Sequence, residues 1–205
     1  QGGERQLIYA VTKRAINSSM LPADVGCIVD NVETIIHIYE AVVNGRPCID
    51  RVVTVTGDGI TSPGNFKVPL GINQQELVRA AGGFRGTPEK VISGGPMMGF
   101  AMFTLDVPVT KTSSSILCLT KDEVAEYEPS ACINCGRCID ACPSRLIPSR
   151  LADYAERHDE AAFEKEYGVE CMECGSCSYV CPAKRQLKQA ISSRRKTVLA
   201  NRKKK

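Results

Sequence analysis

The stretch Cys132-Ile133-Asn134-Cys135-Gly136-Arg137-Cys138-Ile139-Asp140-Ala141-Cys142-Pro143 returns as Cys171-Met172-Glu173-Cys174-Gly175-Ser176-Cys177-Ser178-Tyr179-Val180-Cys181-Pro182. In each copy two residues separate the first three cysteines and three separate the third from the fourth. A proline follows. Two intervening residues let three thiolates curl around three corners of one iron–sulfur cubane. The longer step and the proline turn the backbone away, so the fourth thiolate serves the neighbouring cluster. The pattern therefore predicts two 4Fe–4S clusters with crossed ligands. Cys132, Cys135, Cys138 and Cys181 hold the first, and Cys171, Cys174, Cys177 and Cys142 hold the second. Paired Cys-x-x-Cys also suits tetrahedral zinc. Zinc does not account for four cysteines per run, the Cys-Pro endings or the duplication. The chemistry implied is electron transfer.

Composition sets the frame. The chain has 205 residues, 43% hydrophobic and 24% charged, room for one large or two small domains of ordinary soluble character. No apolar run approaches the ~20 residues needed to cross a bilayer, and nothing at the start resembles a signal peptide. Eight of the eleven cysteines belong to the runs. Cys27, Cys48 and Cys118 stand alone and read as small, buried apolar residues of a reducing, cytoplasmic compartment.

The formal charge of +3 conceals an asymmetry. Ten of the 26 Lys and Arg lie from Ala183 onward, where there is no Asp or Glu, leaving 16 basic against 23 acidic residues before it. Such a block reads as a solvated tail, here 193–205, or as a contact for anionic lipid or an acidic partner. Nucleic acid is not expected, because no aromatic platform or recognition motif accompanies the basic run.

Ahead of the runs the pattern is mixed. The chain opens on Gly2-Gly3-Glu4 directly before a helical pattern, which reads as a fragment whose upstream part is missing. Leu7, Ile8, Val11 and Ile16 suggest one helix. Val32, Ile35, Ile36, Tyr39, Val42 and Val43 suggest a second with one buried face, capped by Asn31 or Asp30 and ended by Gly45. Residues 51–56, 65–70, 90–93 and 115–119 read as strands, and Asn73 with Glu76 opens a short helix. Together these predict a small α+β sheet domain with one covering helix. Thr120 and Glu123 predict a further capped helix leading into the first run. Pro148 starts a helix over Leu151, Tyr154 and Ala155, Asp159 caps another through Phe163 to Tyr167, closed by Gly168, and Leu187, Ala190 and Ile191 mark a last one. His37 and His158 sit in helical patterns without partners and read as structural or exposed. Met97 and Met98 read as packing residues. No hydrolytic or acid–base constellation occurs, so no catalytic side chain is assigned.

In this order the segments resemble the C subunit of Rnf complexes, the ion-translocating ferredoxin:NAD oxidoreductases of bacterial membranes. The residues that carry the likeness are Gln1–Ile8, Leu21–Gly26, Asn31-Val32-Glu33-Thr34, Ser93-Gly94-Gly95-Pro96-Met97-Met98-Gly99 and both cysteine runs. The resemblance implies four parts. Residues 1–47 would close an NADH- and FMN-binding domain like that of respiratory complex I, and 48–112 would form a β-grasp, soluble-ligand-binding module. A helical dicluster domain would cover 120–192, followed by the basic tail. It also implies Gly3, Glu4, Asn31 and Thr34 as flavin-site residues. Arg5 stands where the complex I relatives have a second acidic residue, and the glycine-rich loop for the flavin phosphate is not in this chain, so this fragment alone is expected to lack NADH activity. By the same resemblance the intact protein would pass electrons between NAD(H), FMN and partner subunits, and so to ferredoxin, from the cytoplasmic face of the membrane. A cobalamin reductase of bacterial microcompartments shares the domain order, and a non-catalytic dicluster wiring module is the reading from another class.

Overall fold

The structure, a computed structural model, describes residues 3–202. Gln1 and Gly2 of the opening motif and Lys203–Lys205 of the basic end lie outside the described residues. The chain divides into two compact units, residues 30–126 and residues 1–29 with 127–205. The segment 1–47 is thus shared between them.

The 30–126 unit is built on a five-stranded mixed sheet. Its strands are β1 (Asp50–Thr56), β2 (Gly64–Pro69), β3 (Lys90–Ser93), β4 (Phe100–Met102) and β5 (Ser115–Leu119), in the order β2-β1-β5-β3-β4. β1 runs parallel to β5, with Val55 opposite Ile116, and every other pairing is antiparallel. Alternation along β1 turns Val53 and Val55 into a core shared with Ile60, Val109, Ile116 and Cys118. Helix α3 (Gln74–Ala80) covers that face through Leu77 and Val78.

The Asn73 side chain caps α3 by accepting from the Gln75 N–H at 2.8 Å, and its amide donates to Asp106 at 2.7 Å. Removing both bonds, as in Asn73→Ala, should cost about 1 kcal/mol in urea unfolding. Cys118 is fully buried, and burial pushes its thiol up to about 11. A thiol with a raised folded pKa contributes stability that is complete below the ordinary thiol value and is lost as pH rises through the folded one. Unfolding midpoints should therefore fall between about pH 9 and pH 11, and Cys118→Ala should remove this part of the alkaline dependence.

Helix α2 (Val32–Asn44) forms where expected, capped by Asn31 and closed by Gly45 in the left-handed conformation. Its packing is the reverse of the expectation. Val32, Val42 and Val43 are 60–79% exposed and no residue of the helix is fully buried. The polar side faces β1 instead. Glu33 pairs with the buried Arg51 at 3.1 Å and accepts the Val52 N–H, and His37 lies between Glu33 and Asp50. A buried guanidinium requires a carboxylate partner, and that requirement orients the helix more strongly than its apolar stripe does. His37 is thereby structural.

The helix expected from Thr120 does not form; residues 123–126 make only a turn. The Thr120 N–H and hydroxyl both donate to Asp58, while Asp122 is held by Lys90 and the Glu89 carboxylate, so the would-be cap is already engaged. Asp58 is held below the ordinary carboxylate range by the Thr120 hydroxyl and N–H bonds. Met98, read as a packing residue, is 53% exposed.

In the second unit, α1 (Gly3–Thr12) is followed by a 3-10 turn at Pro22–Val25. Beyond Tyr127 come α4 (Arg137–Asp140), α5 (Pro148–Glu156), α6 (Glu160–Lys165), α7 (Ser176–Tyr179) and α8 (Leu187–Arg202). Leu151, Ala155, Phe163, Leu187, Ile191 and Val198 form one core between α5, α6 and α8. The basic end is accordingly no solvated tail as far as Arg202. Arg194 is buried and donates to Glu160 at 3.0 Å, to the Ala155 carbonyl at 3.2 Å and to His158 Nδ1. Arg202 pairs with Glu164 at 2.9 Å and Arg185 with Asp153 at 2.8 Å. Three cations of the basic end, Arg185, Arg194 and Arg202, thus meet acidic side chains of α5 and α6.

Candidate metal centre

The two cysteine runs fold alike. Each landmark of the first recurs 39 positions later, as Cys132 does in Cys171. Asn134 and Glu173 take left-handed backbone (φ 54° and 59°), Gly136 and Gly175 cap α4 and α7 (φ 76° and 82°), and Arg145 and Lys184 turn the chain again (both φ 53°). Pro148 and Leu187 then open α5 and α8. Left-handed residues at these steps bend the backbone around a concavity, where glycine meets no steric penalty.

Two cavities result. The first, about 350 Å³, is lined by Cys132, Cys135 and Cys138 of the first run and by Cys181 of the second. Cys171, Cys174 and Cys177 line the narrower second one together with Cys142, against Leu146, Leu151 and Ile191. Cys132 and Cys135 are exposed, whereas Cys174 and Cys177 are buried. One centre is open and its twin is enclosed.

All eight thiols are free of disulfides. Four cysteines line each concavity, a soft donor set that suits an iron–sulfur cluster. Hydrogen bonds to sulfur are already in place. The Leu146 N–H donates to Cys142 Sγ and the Glu173 N–H to Cys171 Sγ, both at 3.4 Å. Burial pushes the Cys177 thiol up to about 12 and the Cys171 thiol above its ordinary value. A ligand must be thiolate, so loading the enclosed centre has to release protons.

Several charged residues around these centres went unnoticed in the sequence. Arg150 and Arg185 line the first cavity. Desolvation opposes the charge on Arg185, but bonds to Asp153 and Glu156 outweigh it and raise its pKa. At the second, Glu173 accepts from Ser192 at 2.6 Å and Arg195 at 3.1 Å. Aligning the two runs would have exposed Glu173, since the first has neutral Asn134 at that position. The expected flavin residues fall in different units, Gly3 and Glu4 on α1 and Asn31 and Thr34 at the start of α2. Gly3 and Glu4 are exposed, Thr34 is half-buried, and the Asn31 side-chain carbonyl is engaged in capping.

Three family models match along the chain. Residues 1–40 match the Nuo51 FMN-binding domain, 52–101 the SLBB domain and 122–185 the 4Fe-4S dicluster domain. The C subunit of the Na(+)-translocating ferredoxin:NAD(+) oxidoreductase complex of Acetobacterium woodii is 45% identical over 204 residues, all of this chain and 46% of that protein. The chain belongs to this C-subunit family. The counterpart from the proton-translocating complex of Clostridium ljungdahlii is 46% identical over 82% of the chain and 37% of its own length. That of the ion-translocating oxidoreductase complex of Yersinia pestis is 40% identical over 78% and 26%. The chain thus spans less than half the length of these relatives. Its cofactor classes follow from the matched domains: 4Fe–4S clusters, and FMN for the domain to which residues 1–40 belong.

Proposed function

We propose that this chain is the electron-conducting part of the C subunit of an ion-translocating ferredoxin:NAD oxidoreductase, with crossed ligation of two 4Fe–4S clusters. The observation that carries this reading is the composition of the two cavities. Each gathers three cysteines of one run and the fourth cysteine of the other. When bound, such clusters accept and release electrons singly. The chain's own residues do the rest. The N–H groups of Leu146 and Glu173 bond to ligand sulfur, the core between α5 and α8 keeps water from the second centre, and the exposed Cys132 loop leaves the first open to a partner.

The sheet unit is read as a β-grasp module. The order β2-β1-β5-β3-β4, the parallel central pair and α3 after the first hairpin support that assignment. Gly3, Glu4, Asn31 and Thr34 remain the residues proposed to border FMN in the intact protein, with NAD(H) as its two-electron partner. The other subunits of the redox complex, and ferredoxin through them, are the proposed protein partners. Peripheral attachment at the cytoplasmic face of the membrane is proposed, and among the described residues no helix is long and apolar enough to cross a bilayer. Contact with anionic lipid through the basic end loses Arg185, Arg194, Arg195 and Arg202 to internal pairs.

The test is anaerobic reduction of the cluster-loaded protein with a small one-electron donor, titanium(III) citrate, while the visible absorbance of its clusters is followed. Bleaching, and recovery on adding an oxidised one-electron acceptor, is the expected result. A loaded protein that does not cycle would leave the clusters a structural role only.

A further inference from the structure

Among the described residues, the side-chain hydrogen bonds of helix α1 and the loop after it reach the flanks of only one of the two cysteine sets. Arg5 Nη1 donates to Glu170 at 3.2 Å, the Ser18 N–H donates to the same carboxylate at 2.8 Å and the Ser18 hydroxyl to its other oxygen. The Gln6 amide donates to the Pro143 carbonyl at 3.0 Å. Glu170 directly precedes Cys171 and Pro143 directly follows Cys142, and both of these cysteines line the enclosed cavity. Among the described residues, every side-chain hydrogen bond from residues 3–29 to residues 127–202 ends on Glu170 or Pro143.

We propose that Glu170, clamped by Arg5 and Ser18, is a positioning residue that sets the potential of the enclosed cluster alone, making that cluster the one addressed from the α1 side. The inference rests on the reading that the second cavity holds a 4Fe–4S cluster. Its physics is the sign of two charges. A carboxylate beside a ligand opposes an added electron, and a paired guanidinium offsets it. Arg5 and Glu170 are 22% and 27% exposed, so solvent screens neither fully. Breaking the pair from either side leaves one charge uncompensated. Glu170→Gln should make the enclosed cluster easier to reduce, and Arg5→Gln should make it harder. The double variant should return near the starting value. The open cluster should not move in any of them. A merely structural contact would not give opposite signs.

The test is an EPR-monitored redox titration of the cluster-loaded protein, with the enclosed cluster's signal identified as the one missing from Cys142→Ala. Opposite shifts confined to that signal support the proposal. Loss of that cluster from either single variant, with iron and sulfide halved, would mark the contact as structural and overturn the proposal. Equal shifts of both clusters, shifts of one sign in both single variants, no shift at all, or loss of both clusters together would overturn it. If the unsubstituted protein takes up no pair of 4Fe–4S clusters, the underlying reading fails and not merely this step.

Discussion

Cys142→Ala removes or converts the second cluster and spares the first, although Cys142 belongs to the first run. Iron falls from about eight per chain to about four on loss, or to about seven if a three-iron centre remains. The surviving signal should match that of Cys171→Ala, because both residues line the enclosed cavity. Cys181→Ala and Cys132→Ala should form the complementary pair and keep the other signal. EPR of the four reduced variants checks this. If Cys142→Ala instead resembles Cys132→Ala, each run binds its own cluster and the crossed assignment is wrong. Loss of the enclosed cluster should also loosen its unit, since its cavity is walled by Leu151 and Ile191 of the same core and ligation contributes folding energy.

Gly57→Ala unfolds the sheet unit at far lower denaturant. Gly57 has φ 113°, a conformation closed to other residues, and an added Cβ would lie 1.9 Å from the Cys118 carbonyl oxygen and 2.8 Å from its nitrogen. These are backbone atoms of β5, which pairs with β1, so they cannot swing away as a side chain can. Relief requires the parallel pair at the centre of the sheet to separate locally. A cost of about 4 kcal/mol is expected from the strain and the displaced strand. Gly45→Ala is the control. Gly45 also has positive φ but nothing within 4 Å of an added Cβ, and about 1 kcal/mol is expected. A Gly57→Ala stability within about 1 kcal/mol of the control, measured in urea, contradicts this picture.

Local signals with one physical cause were legible in the sequence. The cysteine spacing sorts the thiols as the two cavities gather them, and β-branched runs with turn glycines mark β1 and β2. Pro148, Asp159 and Gly45 mark helix ends because each acts on its own neighbours. Competition between partners was not legible. Thr120 reads as a cap until Asp58, 62 positions away, takes both of its donors. The apolar stripe of α2 reads as buried until the buried Arg51 draws Glu33 inward. The block of cations at the end reads as a tail until acidic residues of α5 and α6 stand opposite it. β4, three residues at the sheet edge, is too short to show a period. Around the centres the grouping of cysteines that line each cavity was readable from spacing, whereas Glu170 and Glu173 acquire meaning only from Arg5, Ser18 and Arg195, which lie far off in sequence.

The central claim is that this chain holds two 4Fe–4S clusters for electron transfer. Iron and acid-labile sulfide analysis of the anaerobically reconstituted protein, with EPR after dithionite reduction, tests it most directly. About eight irons and eight sulfides per chain are expected, with a spectrum of two interacting 4Fe–4S centres. Tightly bound zinc with no cluster signal after reconstitution would contradict it and leave a structural metal module.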